Sequence, residues 1–380
     1  MTSDTSHSGK LRVVIAGGGV AALETMLALR DLAPEHTDVL VIAPATEFVY
    51  RPMAVREPFA YGPAHHYALA PIIEDAGATV LADRLAWIDR SARLAHTEGG
   101  ERIAYGALVL ALGANPRPHY QHALTIDDRR LDQTLHGLIQ DVDEGYVHSI
   151  AFVAPSLIAW PLPLYELALM TAARAHEMGV ALAVTILTPE SAPLAIFGAA
   201  ASSAVGRLLD QAQIETVSSA YCEVPSPGNV VINHGDRALQ VDRVVALPQL
   251  EGPAIRGIPL GDHGFIQVDP SGLVPDCGPI YAAGDATEFP VKHGGIAAQQ
   301  ADAAARAIAA LAGAPVTPEP LDPVIRGMLL TGGKPVYISA RITGGEGFSS
   351  EITDAPTWSP PAKIAATYLA PYLDSHGQAS

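Results

Sequence analysis

Residues 11–32 read LRVVIAGGGVAALETMLALRDL, and this stretch decides the fold. The run 11–16 is short and rich in β-branched residues, which favours a buried strand. Three glycines follow, and from Val20 to Leu32 the apolar residues recur at helical spacing. The sequence therefore predicts strand, tight turn and helix, the opening of a dinucleotide-binding βαβ unit.

The turn has the pattern Gly17-x-Gly19-x-x-Ala22. Small residues at these positions let a pyrophosphate approach the backbone N–H groups of the turn and of the helix start at Val20 and Ala21. Glycine-rich turns are common, so this motif alone is weak evidence for a dinucleotide site.

The adenosine end of such a site lacks its usual ligand. A second strand, 38–42, is followed by Ala43-Pro44, and no Asp or Glu stands there to bind the ribose hydroxyls. Glu47 is close in sequence, and two interpretations stay open for it: a ribose ligand or a solvated loop charge.

The rest of the chain repeats this organisation. Further predicted elements are strands at 79–82, 107–111, 150–154, 181–187, 241–247, 280–283 and 336–342, a hairpin over 93–103, and helices at 164–178, 296–311 and 363–372. The pattern predicts an α/β protein with two Rossmann-like, three-layer domains, the second inserted in the first. We assign residues 1–118 and 242–330 to the first domain, 119–241 to the second, and 331–380 to a C-terminal interface or lid segment.

Two later motifs identify the cofactor by resemblance. The segment from Tyr105 to Gly113 and the segment from Tyr281 to Asp285 resemble the paired fingerprints of flavoproteins with two dinucleotide-binding domains, the pyridine nucleotide-disulfide oxidoreductase superfamily. The resemblance implies that the chain binds FAD and that Asp285 meets its ribityl chain.

The FAD contacts implied by the motifs and the resemblance are then assigned by position. They are Gly17, Gly19, Val20, Ala21, Ala22, Ala43, Pro44, Arg51, Pro52, Leu81, Ala111, Leu112, Gly113, Gly284, Asp285, Lys292, Gly295 and Ile296.

Within the superfamily the segments 48–52 and 290–293 look like sulfide:quinone oxidoreductase and type II NADH dehydrogenase. In those relatives the first loop and the following helix start flank the flavin ring, positions that Pro52, Lys292 and Ile296 would take here. A helix N-terminus aimed at the flavin N1–O2 edge would stabilise the anion of reduced flavin.

Two departures from these families bear on the substrate. The turn that carries a cysteine in sulfide oxidation has Ala159 and Trp160, which argues against sulfide chemistry. The Ala-Gln pair associated with quinone binding is replaced by glycines at 294 and 295, although Gln299 and Gln300 follow. A quinone is therefore one candidate acceptor without direct support.

The second Rossmann-like turn, 154–165, contains no glycine and three prolines. Prolines lack N–H donors and large side chains block the approach of a pyrophosphate, so we expect weak or no use of NAD(P)H. Glu190 ends a strand of this domain and is either a ribose ligand or a surface turn residue.

Glu166 and Lys292 are the candidate catalytic residues. Glu166 opens the helix after the second turn, and the resemblance places its carboxyl beside the flavin. Desolvation there would raise its pKa, as a proton relay requires. The alternative is a carboxylate that only complements the helix dipole.

Composition excludes several kinds of partner. With 23 basic and 40 acidic residues the net charge is −17, which repels nucleic acids and anionic lipid. Residues 147–165 carry no Asp, Glu, Lys or Arg, but three prolines break the run, so we predict no membrane span. The polar start of the chain suggests a cytoplasmic protein.

Metal chemistry is not expected. Cys222 and Cys277 form no CxxC pair, and the adjacent His65 and His66 would point to opposite sides of an extended segment. We predict no metal site.

The C-terminal run 358–373 is predicted to be a short amphipathic helix that docks over the flavin or against a second copy in a homodimer, with Trp358 near the flavin pocket. Glycines at 344, 345 and 347 would let the preceding loop act as a lid. The sequence thus indicates an FAD-dependent oxidoreductase acting on a small molecule. The alternatives are a non-catalytic flavoprotein that senses redox state or binds a partner, and an NAD(P)H:quinone-type reductase.

Overall fold

The computed structural model of the protein describes residues 9–157, 159–342 and 348–376. The glycine loop predicted as a lid, 344–347, lies outside these residues. The described α-helices, in chain order, are α1 (Val20–Leu32), α2 (Leu69–Asp75), α3 (Leu131–Asp143), α4 (Leu162–Met178), α5 (Ala199–Gln211), α6 (Gly294–Leu311) and α7 (Leu369–His376).

The described strands, in chain order, are β1 (Leu11–Ala16), β2 (Thr37–Ile42), β3 (Glu47–Val49), β4 (His66–Ala68), β5 (Thr79–Leu81), β6 (Leu85–Asp89), β7 (Leu94–Thr97), β8 (Arg102–Ala104), β9 (Ala107–Leu110), β10 (Asn115–Arg117), β11 (Leu124–Thr125), β12 (Ser149–Val153), β13 (Ala183–Leu187), β14 (Glu215–Val217), β15 (Cys222–Ser226), β16 (Asn229–Ile232), β17 (Arg237–Gln240), β18 (Arg243–Ala246), β19 (Gln249–Glu251), β20 (Ile280–Ala282), β21 (Val324–Leu329), β22 (Val336–Ile342) and β23 (Phe348–Thr353). Short 3₁₀ segments follow β3 at Arg51–Phe59 and β20 at Gly284–Ala286.

The first sheet has five parallel strands in the order β20-β9-β1-β2-β5. Its central strands are continuous apolar runs because both faces are covered, as in other parallel sheets. Helices α1 and α6 pack against each other on one face, in a core that contains many alanines. Strands from both ends of the chain meet in this sheet, so it closes only when the chain returns at β20.

The second sheet is also parallel, in the order β11-β18-β12-β13-β14. All its strands lie between β9 and β20 in sequence, and the side chains of α3, α4 and α5 form its core with it. Strand β18 pairs with β12, so the range 242–330 assigned to the returning segment begins with a strand of the second sheet.

Five small antiparallel sheets complete the described fold: the two-stranded β3-β4 and β10-β19, and the three-stranded β6-β7-β8, β15-β16-β17 and β21-β22-β23. The last of these contains the predicted strand 336–342, and its inner face joins the core of the second sheet through Ile325, Leu329 and Ile338. The C-terminal segment beyond it returns to α1, where Leu369 and Leu373 pack into the core of the first sheet. The two halves are therefore tied together by the end of the chain.

One predicted element is wrong in its bounds. The C-terminal helix was expected over 363–372, but α7 begins at Leu369 and the residues from 361 to 368 form no helix. The helix begins only where a side chain from α1 accepts the hydrogen bonds of its first N–H groups.

Within the described ranges, no helix combines the length and the apolar composition needed to cross a bilayer.

Candidate functional site

A cavity of about 530 Å³ lies where the carboxyl ends of the parallel strands meet. Residues that follow β1, β2, β9 and β20 form part of its wall, as expected for a ligand site in an open α/β sheet. Leu247 after β18, Ile126 after β11 and the start of α4 add a wall from the second sheet. Both halves of the fold therefore face one cavity.

In the glycine turn after β1, two glycines leave room where side chains would stand. Gly17 has φ +132°, and a Cβ built on it would lie 2.1 Å from the carbonyl oxygen of Ala111. Only glycine fits there. A Cβ at Gly19 would meet none of the described atoms within 4 Å, so this position opens onto the cavity.

Helix α1 begins at this turn without a capping side chain and without an acidic residue in its first turn. The first N–H groups of a helix lack intrahelical acceptors and carry the positive end of the helix dipole. The turn and the helix start together offer several N–H donors to a pyrophosphate, so the residues present fit a dinucleotide cofactor.

A second tight turn closes the site below β20. Gly284 has φ +78°, and its Cβ would lie 3.1 Å from that of Ala21 and 3.3 Å from that of Ala297. Its N–H donates to Oε1 of Gln300 at 2.8 Å. The buried Gln300 thus fixes the turn that presents Asp285 to the cavity.

Most of the residues assigned from the sequence meet in the cavity wall. These are Gly17, Gly19, Val20, Ala21, Ala43, Pro44, Arg51, Pro52, Ala111, Leu112, Gly113, Gly284, Asp285 and Lys292, with Glu166 beside them. Four assigned residues are absent from this wall: Ala22, Leu81, Gly295 and Ile296. The residues of α6 that line the cavity are Gly294 and Ala297, because the side chain of Ile296 packs into the hydrophobic core.

The most buried charged group in the wall is Glu166, which is fully buried on the first turns of α4. Its carboxylate forms an ion pair with Lys363, with a shortest N–O distance of 2.7 Å. The N–H of Leu330 donates to it at 3.0 Å, and Nζ of Lys363 also donates to the carbonyl oxygen of Pro52 at 2.9 Å. Four distant parts of the chain therefore meet at this pair.

Burial disfavours the charged form of both partners. It raises the pKa of Glu166, against the opposing attraction of Lys363, and lowers the pKa of Lys363, against the attraction of Glu166. The proton of the pair is therefore held less firmly by the amine, and accepted more readily by the carboxylate, than in water.

Asp285 and Lys292 both lie in the wall, and their charges influence each other. Burial raises the pKa of Asp285 to about 6, and the nearby Lys292 opposes this rise. Burial also lowers the pKa of Lys292 to about 8. Nζ of Lys292 donates to the carbonyl oxygen of Thr287 and lies 4.0 Å from the ring centroid of Phe265. The ammonium group of Lys292 is thus fixed by a backbone carbonyl and an aromatic ring.

Trp160 and His293 pack against each other in the wall, with ring centroids 4.3 Å apart and ring planes tilted by 36°. His293 precedes α6, and its Nδ1 is buried without a hydrogen-bond partner in the described structure. Burial lowers the pKa of His293 to about 3, and Lys363 adds to this effect. The imidazole is therefore neutral at physiological pH.

At the adenosine end, Glu47 lies in the cavity wall and its Oε2 is 3.0 Å from Nδ1 of His66. Both predicted interpretations of Glu47 stay open, because the side chain is exposed and also borders the cavity. His65 and His66 join no metal site: among the described residues, no three His, Cys, Asp or Glu side chains cluster as metal ligands would.

The second Rossmann-like turn is built differently from the first. Glu190 accepts hydrogen bonds from the hydroxyls of Tyr165 at 2.8 Å and Thr188 at 3.1 Å. Trp160 packs edge-on against the fully buried Phe197 at 5.7 Å. The polar groups and rings of this turn therefore contact one another. Neither Glu190 nor the described residues 154–157 belong to the cavity wall.

The two glutamines of α6 are used by the fold. Gln299 donates to the carbonyl oxygens of Gly295 and Val324 and accepts the N–H of Val324, each at 2.9 Å. Gln300 holds Gly284 and Thr287. Neither amide is free in this conformation to bind a quinone oxygen.

Among the wall residues that sequence reasoning missed are Lys363, His293 and Asp128. Lys363 had one detectable signal, because it is the only charged residue between 358 and 373 in a Pro-rich, otherwise apolar run. Asp128 follows β11 and lies close enough to Asp285 for their charges to interact. Nothing local in its acidic and basic surroundings distinguishes it from a solvated loop residue. Trp358 lies outside the wall, where it packs on Tyr337 and donates to the carbonyl oxygen of Ala362.

Residues 11–159 match the family described as pyridine nucleotide-disulphide oxidoreductase. No curated protein sequence matches the chain.

Solved structures share the fold over nearly the whole chain. The sulfide:quinone oxidoreductase of Aquifex aeolicus is 19% identical with a TM-score of 0.80, covering 90% of this chain and 87% of its own. A ferredoxin reductase of Rhodopseudomonas palustris is 20% identical with a TM-score of 0.65, covering 90% and 88%. A NAD-dependent persulfide reductase of A. fulgidus is 18% identical with a TM-score of 0.61, covering 87% and 64%. The predicted α/β architecture of two Rossmann-like halves is confirmed.

Proposed function

We propose that this chain, a member of the pyridine nucleotide-disulfide oxidoreductase superfamily, is an FAD-dependent oxidoreductase that acts on a small molecule in the shared cavity. One observation carries the proposal. A buried Glu166–Lys363 pair lies in the same cavity as an uncapped helix start behind a glycine turn. The first feature handles protons and the second binds a dinucleotide.

Bound FAD would supply two-electron transfer, which no side chain in the described structure can supply. The chain's own residues would bind and orient it. The turn at Gly17 and Gly19 and the start of α1 would receive the pyrophosphate, and Asp285 would accept hydrogen bonds from the ribityl hydroxyls. Lys292, beside Asp285, would balance negative charge in the wall.

Glu166 would hold the proton that accompanies electron transfer. The carboxylate is buried, its pKa is raised, and Nζ of Lys363 lies within hydrogen-bond distance of both of its oxygens. The raised pKa of Glu166 and the lowered pKa of Lys363 bring the two arrangements of the shared proton, on the carboxylate or on Nζ, closer in energy than they are in water. This is the direction that proton transfer within the site requires.

NAD(P)H would be a poor donor. The second turn has few N–H groups to offer, and its Glu190 is already bound by the hydroxyls of Tyr165 and Thr188. Losing several charge-assisted hydrogen bonds, each contributing roughly 1.5–3 kcal/mol, weakens binding by orders of magnitude.

Sulfide would be a poor substrate for a separate reason. Cys222 is half-buried on β15, and Cys277 is buried in the core on the other face of the first sheet. Neither belongs to the cavity wall, where Ala159 and Trp160 take the place of a reactive thiol.

The decisive experiment is the absorption spectrum of the purified protein, followed by stopped-flow reduction with NADH, NADPH, sulfide and quinols. We expect a yellow protein that releases FAD on denaturation and that NADH and NADPH reduce slowly and without saturation at millimolar concentration. A folded, colourless protein that refuses added FAD would remove the proposal. Saturable reduction by micromolar NADH would instead move the protein to the NADH dehydrogenases.

Stable bound FAD that no donor or acceptor turns over would favour the non-catalytic alternative, a redox sensor or partner-binding flavoprotein. The division into domains at 1–118, 119–241 and 242–330 stays part of the proposal, except that β18, the first strand of the last range, pairs with β12 of the second domain. A cytoplasmic location and a C-terminal dimer contact are also part of the proposal. Limited proteolysis and gel filtration would test the boundaries and the dimer.

A further inference from the structure

Residues 361–376, here called the C-terminal strap, cross from the cavity to the outer face of α1. The strap delivers Lys363 to Glu166 and places Ile364 in the cavity wall. The N–H of Ile364 donates to the hydroxyl of Tyr50 at 2.8 Å. The position of the proton-handling pair therefore depends on what anchors the strap.

The anchor is Glu24, a fully buried carboxyl on α1. Its Oε1 accepts the N–H groups of Thr367 at 2.6 Å and Tyr368 at 2.9 Å, and its Oε2 accepts that of Leu369 at 2.6 Å. Leu369 is the first residue of α7 and the other two directly precede it, so none of these N–H groups has an acceptor within the helix. A side chain from a distant helix thus takes the place of a local N-cap.

Asp302 on α6 faces the same point. Its Oδ2 accepts the hydroxyl of Thr367 at 2.6 Å, whereas its Oδ1 is buried and without a partner in the described structure. Glu24 and Asp302 both bind Thr367, one through its N–H and the other through its hydroxyl, and the two carboxyls are close enough to interact. Two carboxylates this close and out of water do not both ionise, and a proton between them would satisfy the orphaned Oδ1.

We propose that Glu24 and Asp302 are a positioning unit: a carboxyl pair that shares one proton and thereby holds the strap, and with it Lys363, over the cavity. Its consequence for turnover rests on the proposed function, but the anchoring itself does not. The two carboxyls titrate together, so the shared proton is assigned to the pair and not to either residue alone.

The charged groups around the pair are few. Arg306 on α6 is the basic group near Asp302. Asp31 on α1 lies near Tyr368, as do Arg306 and the two carboxyls of the pair. Burial raises the pKa of Glu24 to about 8 and also raises that of Asp302. When the shared proton is lost at alkaline pH, two carboxylates repel each other at the anchor and the strap loosens.

The test is amide hydrogen exchange of the purified protein at residues 364 and 367–369, compared at pH 6 and pH 9 as protection factors. Asp302→Asn is the informative variant, since its amide keeps the acceptor for Thr367 and replaces the shared proton by a permanent N–H. Glu24→Ala removes the anchor. Asp31→Asn is the matched control, because it removes one charge from the same surface of α1 without touching the pair.

We expect protection of these amides to fall about tenfold or more from pH 6 to pH 9 in wild type and in Asp31→Asn, which is the effect of about 1.4 kcal/mol. In Asp302→Asn the protection factors of these amides should differ by less than about twofold between pH 6 and pH 9. In Glu24→Ala the protection factors should be low at both pH values. The visible flavin spectrum should show a matching pH step in wild type that is missing in Asp302→Asn.

Equal protection factors at pH 6 and pH 9 in the wild type would contradict the proposal that the pair shares a proton. Protection factors in Asp302→Asn as low as those in Glu24→Ala would contradict it as well. Should Glu24→Ala fail to fold, wild type and Asp302→Asn still decide. Exchange needs no turnover and no flavin, so a colourless protein would end the proposed function while leaving this test intact.

Discussion

At the scale of single residues, the chemistry of the site depends on contacts that no local pattern reveals. Glu166 was identified from the sequence, but its partner Lys363 lies almost two hundred positions later, in a segment expected to be helical. The sequence shows that a lysine stands in an apolar run. Only the packing of the strap against α4 shows that this lysine is buried and paired.

The Glu166–Lys363 pair predicts a strongly non-additive pair of variants. Glu166→Gln or Lys363→Met alone leaves one buried charged group without its partner, and each should lower the free energy of unfolding by about 3 kcal/mol. The double variant should lose less than the sum, because it buries no uncompensated charge. Urea unfolding followed by tryptophan fluorescence measures all three, and additive losses would contradict the pairing.

Asp285 and Glu190 predict a contrast in cofactor binding. Asp285→Ala should lower the ratio of flavin to protein absorbance, because this carboxyl lies in the cavity wall. Glu190→Ala should leave the ratio nearly unchanged, since Glu190 is bound to Tyr165 and Thr188 outside that wall. Equal losses, or a larger loss for Glu190→Ala, would mean that FAD occupies the second half of the fold.

At the scale of elements, strands and helices were predictable where hydrophobic period and turn residues agree. Helix α1 and strand β22 match the bounds expected from the sequence. The C-terminal helix does not, because its start is set by a carboxyl on α1 and by no residue near Leu369. Helix starts supplied from elsewhere in the chain leave no local N-cap signal for sequence reasoning to find.

The glycine turn before α1 predicts two different outcomes for two alanine substitutions. Gly17→Ala should destabilise the fold by several kcal/mol, because its Cβ would meet the carbonyl oxygen of Ala111 and its φ of +132° is disfavoured for alanine. Gly19→Ala should fold normally, since nothing described crowds that Cβ, yet should weaken FAD binding by narrowing the phosphate approach.

Thermal unfolding and FAD titration of the two purified variants separate these effects. The unfolding midpoint should drop for Gly17→Ala alone, and the dissociation constant for FAD should rise in Gly19→Ala. Unchanged FAD affinity in Gly19→Ala would place the pyrophosphate elsewhere.

At the scale of the whole molecule, the order of the motifs was enough to predict two Rossmann-like halves. A strand with a glycine turn, a later strand ending in Gly113 and a third ending in Asp285 must share one sheet if all three serve one dinucleotide, and they do. The sequence could not predict that the end of the chain ties the halves together. That tie depends on the packing of β21–β23 on the second core and of α7 on the first.

The buried carboxyls predict how stability of the whole protein depends on pH. Burial raises the pKa of Glu24 from 4.5 to about 8 and that of Asp285 from 3.8 to about 6. At a pH between the ordinary pKa of each carboxyl and its raised pKa in the folded protein, the carboxyl is protonated in the folded state and ionised in the unfolded state. The free energy of unfolding therefore falls as pH rises, by about 1.4 kcal/mol per pH unit for each such group.

We therefore expect the FAD-free protein to be more stable near pH 5 than near pH 8, with the Glu24–Asp302 pair contributing to the slope between pH 6 and 8. His293 opposes this trend below about pH 6.5, because its pKa of about 3 in the folded protein means that only the unfolded state takes up that proton there. Growing net negative charge acts in the same direction as the pair, so a variant is needed to separate the two. Asp302→Asn removes the acidic neighbour that helps raise the pKa of Glu24 and should flatten that slope, whereas Asp31→Asn should keep it. Urea unfolding at a series of pH values measures both, and equal slopes in the two variants would trace the pH dependence to surface charge instead of to the buried pair.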